Sequence, residues 1–159
     1  MDIGCLFCDK SSQEKHKIIL ENELFYARLD DFPVTPGHTM IVPKRHVVSL
    51  MDLTEQEWAA LKPFIKETIA VIESTDMQSL YRQLRTEMSN EKARMYFLEM
   101  LGHTGVDKKP DAYNFGVNEG EAAGRTMPHL HWHIIPRYFG DVKNPRGGVR
   151  NIIPGKGDY

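Results

Sequence analysis

The sequence predicts an α+β fold, with an antiparallel sheet of about five strands and helices on one side of it. Strand-like runs come first, a long helical region follows, and strand-like runs then return. Separated strands and helices of this kind are typical of α+β proteins. The links between the early strands have hairpin length, which favours antiparallel pairing. The length of 159 residues fits a single domain over 1–159 with a substantial core.

Three short strands are predicted in the first third of the chain. Apolar runs over 18–20 and 24–29 flank a short polar turn, as in a β-hairpin. The loop 30–37 is marked by two prolines and a glycine. The β-rich run 38–43 then predicts the third strand.

A helix is predicted after the third strand. Thr54 and Glu57 have the spacing of a capping box at its start. Apolar residues then recur at steps of three and four to about residue 73, which indicates an amphipathic helix. Pro63 lies inside this pattern and predicts a kink.

A second helical region is predicted over about 76–101, with an interruption near Ser89. With its flanking residues it makes an extended helical segment at about 74–108 within the single domain. Residues 113–117 are predicted as the fourth strand, and the loop 118–124 is rich in small residues.

The fifth predicted strand, 128–137, carries alternating histidines. Successive side chains of a strand point to opposite faces of a sheet. We therefore expect three histidines on one face, where they can line a cleft, and three bulky apolar residues on the other, where they can pack in a core. The two sets are His129, His131 and His133, and Leu130, Trp132 and Ile134.

The histidines alone leave three interpretations open. They can be surface or satisfied core residues, although three in alternation are unusual for that. They can bind one metal ion, since alternate residues of a strand converge on one point. They can also act in covalent catalysis, because a neutral imidazole is a good nucleophile near pH 7.

Composition argues against several classes of partner. The net charge of -2 provides no broad basic field, so we expect no nucleic-acid partner. No apolar run approaches the roughly 20 residues that span a membrane. The first residues also lack a signal-peptide pattern, and a cytoplasmic location is the expected default.

The only two cysteines, Cys5 and Cys8, are separated by two residues. Such a pair supplies half of a tetrahedral zinc site. The same spacing also occurs in redox-active pairs. Two unligated thiols near the N-terminus are the third possibility.

These residues resemble the histidine triad (HIT) family of nucleotide hydrolases and transferases. The family motif has three alternating histidines followed by two apolar residues, which 129–135 matches fully. The block 118–126 has the family spacing before the triad, and 30–46 is similar to the family's N-terminal signature. The segment 74–108 has no counterpart in a compact member.

The resemblance implies a hydrolase or nucleotidyl transferase that acts on phosphoric anhydride or phosphoramidate bonds. Its substrates would be dinucleoside polyphosphates or nucleoside 5′-phosphate conjugates, and the reaction would pass through a nucleotidyl-histidine. A homodimer paired through the helix that ends near residue 73 is also implied. The alternatives are a purine-nucleotide-binding module without catalysis, and a metal-dependent hydrolase that uses all three histidines.

The resemblance also implies roles for individual residues. His131 would attack the α-phosphorus, and His133 would act beside it on the phosphate. Asn118 would donate to a phosphate oxygen, Thr126 would face the leaving group, and Asp30 would accept the ribose hydroxyls. Apolar residues early in the chain would sandwich the base: Phe7, Phe25 or Leu29.

Arg125 stands where many family members have glutamine. A permanent cation at this position favours anionic leaving groups such as polyphosphate, so Arg125 is a candidate substrate-binding residue. The alternative is that Arg125 pairs with Glu119 or Glu121 in its own loop.

The zinc-containing, bacterial-type branch of the family implies a structural zinc ion. Its ligands here would be Cys5, Cys8, His46 and His129. His38 would then lie behind these ligands, or it would be a satisfied core histidine. The tail 144–150 contains glycines that allow close backbone approach and arginines that could reach a distal phosphate; an ordered surface tail is equally compatible.

Overall fold

The computed structural model describes residues 4–9 and 17–157. Within them, five strands form one antiparallel sheet in the order β1-β2-β3-β5-β4. The predicted fold class is confirmed. The predicted domain range 1–159 also includes 1–3, 10–16 and 158–159, which lie outside the described residues. The strands are β1 (Ile18–Glu21), β2 (Phe25–Leu29), β3 (Thr39–Pro43), β4 (Ala112–Gly116) and β5 (Trp132–Arg137).

Three α-helices lie between β3 and β4. They are α1 (Glu55–Ser74), α2 (Met77–Glu87) and α3 (Glu91–Leu101). The predicted break in the second helical region is confirmed, because Asn90 caps α3 by accepting from the Ala93 amide at 3.1 Å. Helix α1 runs unbroken through Pro63. In the described part of the chain, no helix is long and apolar enough to cross a membrane.

The two faces of the sheet have different environments. One face packs against the helices and includes Leu130, Trp132 and Ile134. The opposite face packs Tyr26, Met40 and Val42 against the N-terminal turn. Because Met40 pairs with His133 across the sheet, the histidines lie on this second face, as predicted. The face that bears them is called the histidine face below.

The last strand is shorter than predicted. Of the predicted range 128–137, only Trp132–Arg137 is strand, so His129 and His131 precede it. The partner strand β3 ends at Pro43, and the chain then turns away. The Leu130 amide instead donates to the Val47 carbonyl at 2.7 Å, which keeps this stretch extended beyond the ladder.

The extended helical segment joins the same core as the sheet. Tyr81, Leu84 and Phe97 are almost completely buried in the cluster that contains Ile134. The Tyr81 hydroxyl accepts a hydrogen bond from the Gly37 amide at 2.7 Å. The helices therefore hold the loop between β2 and β3.

Helix α1 begins at the predicted capping box. Thr54 accepts from the Glu57 amide at 3.2 Å, and the Glu57 carboxylate accepts from the Thr54 amide at 2.8 Å. Arg45 donates to both carboxylate oxygens of Glu57, at 3.0 and 2.7 Å. The Arg45 guanidinium lowers the pKa of Glu57 to about 2, and the cap hydrogen bonds act in the same direction.

Replacing Glu57 with glutamine should lower the free energy of unfolding at pH 7 by about 2 kcal/mol, after allowance for solvent screening at Arg45. The stabilisation requires the ionised carboxylate, so the difference from wild type should shrink as the pH falls below about 4.5. Urea unfolding across this pH range measures it. Glu55→Gln, an exposed change in the same turn, should have little effect. A pH-independent difference would contradict the prediction.

Candidate active site and metal centre

The N-terminal turn brings the two cysteines to the sheet. The Tyr26 hydroxyl on β2 donates to the Phe7 carbonyl at 2.9 Å and anchors the turn. Cys5 Sγ lies 3.3 Å from His129 Nδ1, and Cys8 Sγ lies 3.1 Å from His46 Nδ1. The four predicted metal ligands therefore meet, with all their ligand atoms within 4.8 Å of one another.

This donor set fits a structural zinc ion. A tetrahedral ion separates a thiolate sulfur from an imidazole nitrogen by roughly 3.5 Å, given ordinary zinc–ligand distances. His129 is completely buried, and its Nε2 donates to the Pro43 carbonyl at 2.9 Å. The lone pair is thereby placed on Nδ1, which faces the thiols. Burial also lowers the pKa of His129, which favours the neutral, metal-binding imidazole.

His131 is held in a different tautomer. Its Nδ1 donates to the His129 carbonyl at 2.8 Å, because a carbonyl can only accept. The lone pair of the neutral ring is therefore on Nε2. The Phe7 ring packs edge-on against the imidazole, with ring centres 5.3 Å apart. This arrangement presents an oriented nitrogen nucleophile.

His133 is oriented by a chain of hydrogen bonds that begins in the loop after β2. The Val34 amide donates to His38 Nδ1 at 3.4 Å, so the proton of His38 is on Nε2. That nitrogen donates to His133 Nδ1 at 3.0 Å. The proton of His133 is consequently on Nε2, which becomes a donor.

Burial favours the neutral form of both rings of this pair. Burial lowers the pKa of His38 to about 4, although Asp30 opposes the shift. Burial also lowers the pKa of His133, and the neighbouring His131 adds to the effect. Asp30 lies 3.7 Å from His38 Nε2 and 3.8 Å from His133 Nδ1. Its other oxygen accepts from the Phe32 amide at 2.8 Å.

The triad histidines do not surround one ion in the described residues. His129 belongs to the cysteine cluster, while His133 belongs to a separate group with Asp30 and His38. A metal centre built from all three is therefore not supported. His38 also lies against His133 instead of behind the cysteine cluster. His38 directly precedes β3 and lies two residues before Met40, which pairs with His133, so the register between the strands brings the two histidines together.

A cleft of about 810 Å³ opens beside His133. His38 and Asn118 line it, which places Asn118 in the same cavity as His133. Thr126 is exposed in the loop before the triad. The roles of Asn118 as a phosphate donor and of Thr126 beside the leaving group stay predictions.

Arg125 is engaged within the protein. Its Nη1 donates to the Val48 carbonyl at 3.1 Å and lies 3.7 Å from a Glu119 carboxylate oxygen. Glu119 in turn accepts from the Leu50 amide at 2.9 Å. The alternative pairing with Glu119 is thus observed, and substrate binding by Arg125 stays a prediction.

Two of the three predicted base-binding residues are on the wrong face. Phe25 and Leu29 are completely buried in the core against the helices. They alternate with Tyr26, which faces the histidine side of the sheet. Only Phe7 lies on the histidine face, where it contacts His131.

Comparison with known proteins places this geometry in a family. The HIT domain model matches residues 11–140. The chain belongs to the HIT family. It is 31% identical over 132 residues to a Mycobacterium tuberculosis protein named AP-4-A phosphorylase, with 82% of this chain and 51% of that protein covered. The chain thus spans about half the length of that HIT relative.

Solved HIT structures share the fold. A zinc-bound histidine triad family protein of Mycobacterium smegmatis is 26% identical and has a TM-score of 0.54, over 87% of this chain and 78% of the other. A HIT family protein of Bacillus subtilis is 25% identical with a TM-score of 0.59, over 87% and 76%. The zinc-bound neighbour agrees with the donor set around Cys5 and Cys8.

We expect the purified protein to contain about one zinc ion per chain, as four closed ligands of this kind bind one ion. Cys8→Ala should reduce the zinc content and the melting temperature together. Mass spectrometry of the metal and thermal unfolding measure the two effects. His103→Gln, which changes a histidine outside the cluster, should retain the metal. Full zinc content in Cys8→Ala would refute this assignment.

Tyr81→Phe should remove the acceptor for the buried Gly37 amide next to His38. An unpaired buried N–H costs about 1–3 kcal/mol, which is the loss expected in the free energy of unfolding. Tyr96→Phe on α3 keeps its ring contact with Phe32 and serves as the control. If the two variants are equally stable, the hydrogen bond to Gly37 does not hold this loop.

Proposed function

We propose that the protein is a nucleotide hydrolase or nucleotidyl transferase that forms a nucleotidyl-histidine on His131. One observation carries the proposal: His131 has a free lone pair on Nε2, and His133 has an N–H on Nε2. An attacking nitrogen next to a hydrogen-bond donor suits displacement at a phosphate. The substrates would be dinucleoside polyphosphates or nucleoside 5′-phosphate conjugates.

The first half-reaction forms one bond and breaks one. His131 Nε2 attacks the α-phosphorus, the bond to the leaving group breaks, and its electron pair goes to the leaving oxygen or nitrogen. The positive charge that develops on the imidazole is stabilised because Nδ1–H already donates to the His129 carbonyl. His133 Nε2–H and the Asn118 amide would donate to the phosphate oxygens.

The second half-reaction releases the nucleotide. Water or inorganic phosphate attacks the phosphorus, the P–N bond breaks, His131 Nε2 regains its lone pair, and the proton of the attacking molecule is released to solvent. Thr126 would face the leaving group, and Asp30 would accept the ribose hydroxyls. The relative named AP-4-A phosphorylase supports the polyphosphate class, and the choice between water and phosphate decides between hydrolysis and phosphorolysis.

A homodimer that pairs copies through α1 belongs to the same proposal. Trp58 on this helix is 42% exposed, which is high for so large an apolar side chain. Burial of this ring against a second copy would stabilise the pair.

His131→Ala should abolish turnover of diadenosine tetraphosphate and adenosine 5′-phosphoramidate, with a loss of at least about 10³-fold in kcat. Adenosine 5′-monophosphate should still bind, because the fold and the other contacts remain. His103→Gln is the matched histidine control and should stay active. Rapid acid quench of the wild-type protein should yield an adduct of nucleotide mass on His131. An active His131→Ala variant would exclude this mechanism.

Slow or absent turnover by the wild-type protein, with intact nucleotide binding, would instead favour a binding module. The same panel of substrates separates the two functions.

A further inference from the structure

The loop between β4 and the triad, residues 118–126, begins with Asn118 and ends with Thr126. Gly120 has φ +91°, a left-handed conformation that glycine adopts without strain and that turns the chain back. The Arg125 amide then donates to the Gly120 carbonyl at 3.1 Å and closes the loop. The two ends of the loop are thereby joined into one structural unit.

Apolar packing does not hold this loop in place. Among the residues that the structure describes, no member of the loop belongs to a hydrophobic cluster. The nearest apolar anchors lie just outside it, where Val117 packs against the core under the helices and Met127 packs on the histidine face. A segment without buried apolar contacts opens at a low free energy. The position of the loop therefore depends on its polar contacts.

Two side chains tie the loop to the segment 47–50, which is called the anchor segment below. Arg125 Nη1 donates to the Val48 carbonyl at 3.1 Å. The Glu119 carboxylate accepts from the Leu50 amide at 2.9 Å. Both partners are backbone groups, which have fewer conformations available than side chains. The loop is therefore attached at two points to one short stretch of main chain.

The anchor segment has further hydrogen bonds that fix it. The Val47 carbonyl accepts from the Leu130 amide at 2.7 Å, so the segment is bound to the triad stretch. Ser49 Oγ accepts from the Met51 amide at 3.1 Å and caps a short 3-10 helix over Leu50–Asp52. The anchor segment thus holds the 118–126 loop and the triad stretch next to each other.

The backbone hydrogen bonds matter more than the ion pair between the same side chains. Arg125 Nη1 lies 3.7 Å from Glu119 Oε1, and the Glu119 side chain is 44% exposed. An ion pair at this exposure contributes little, whereas a hydrogen bond between a charged group and the backbone contributes more. The loop also contains Glu121, so its two carboxylates outnumber its one guanidinium. The loop as a whole therefore does not attract an anion, and its cation is used to fix a position.

We propose that Arg125 and Glu119 are positioning residues for the reaction. They hold the loop against the anchor segment, so that Asn118 reaches the phosphate and Thr126 reaches the leaving group. The inference rests on the proposed function, which assigns these two roles. In this arrangement neither Arg125 nor Glu119 contacts the substrate, and both act on every substrate alike.

Glu119→Ala is the deciding variant, because charge and position predict opposite results. Removal of a carboxylate makes the loop less negative, which on charge alone favours an anionic substrate. Loss of the acceptor for the Leu50 amide instead releases the loop. We expect kcat for diadenosine tetraphosphate to fall about tenfold, which is about 1.4 kcal/mol, with little change in KM.

Two matched variants control for charge and for folding. Glu119→Gln keeps a side-chain oxygen that can accept from the Leu50 amide, so it should restore most of the turnover. Glu121→Ala removes the same charge from an exposed position in the same loop and should leave kcat unchanged.

Arg125→Ala separates positioning from direct contact with the leaving group. Positioning predicts an equal fall in kcat for diadenosine tetraphosphate and adenosine 5′-phosphoramidate, because both substrates use Asn118 and Thr126. Direct contact with a polyphosphate predicts a fall for the tetraphosphate alone, and that result would overturn the proposal.

Hydrogen exchange of the Leu50 amide, measured by nuclear magnetic resonance, reports on the attachment without any turnover. The amide should exchange faster in Glu119→Ala than in the wild-type protein and in Glu119→Gln. Unchanged exchange, or an undiminished kcat in Glu119→Ala, would contradict the positioning role. A wild-type protein that processes neither substrate would refute the proposed function and this role with it, whereas the exchange rates would still show whether the loop is attached through Glu119.

Discussion

The position of one proton on each triad histidine is the constraint on which the site depends. The three side chains are chemically identical, and each has a different hydrogen-bond partner. His129 donates from Nε2 to Pro43, and His131 donates from Nδ1 to the His129 carbonyl. His133 accepts at Nδ1 from His38. These partners leave a lone pair on His129 Nδ1, a lone pair on His131 Nε2 and an N–H on His133 Nε2, as the proposed metal ligand, nucleophile and phosphate donor require.

The carbonyls that select these tautomers are available because the ladders on both sides of β5 stop early. Pairing with β3 ends at Ile41 and Trp132 and pairing with β4 ends at Gly116 and His133, so the carbonyls of Pro43 and His129 are not used by the ladders. A longer strand would have paired them with backbone amides and left the imidazoles without acceptors. Strand β5 begins later than the sequence predicted, and the site needs this because it leaves the two carbonyls free for the imidazoles. The bond from Leu130 to Val47 keeps the alternation of side chains intact without the ladder.

Alternation and spacing along the chain predicted much of the fold and site. The parts that they did not predict depend on which strand or helix packs next to a residue. The period of two along the last strand separated the histidines from Leu130, Trp132 and Ile134 correctly. The same reasoning could not assign Phe25 and Leu29, because all five residues of β2 are buried and both of its faces contain large side chains. The role of His38 required the register between strands, which local sequence does not encode. The Tyr81 contact required the tertiary position of α2.

One backbone segment serves both the candidate metal centre and the proposed reactive site. The His129 side chain faces the thiols, while its carbonyl orients His131. The carbonyl is held in place by the backbone, and the adjacent Leu130 amide donates to the carbonyl of Val47, the residue after His46. Zinc would tie the N-terminal turn to the sheet, where Phe7 packs against His131, and would also join the segments of His46 and His129. The orientation of the proposed nucleophile depends on a backbone hydrogen bond between two segments that each carry a candidate metal ligand, His46 and His129.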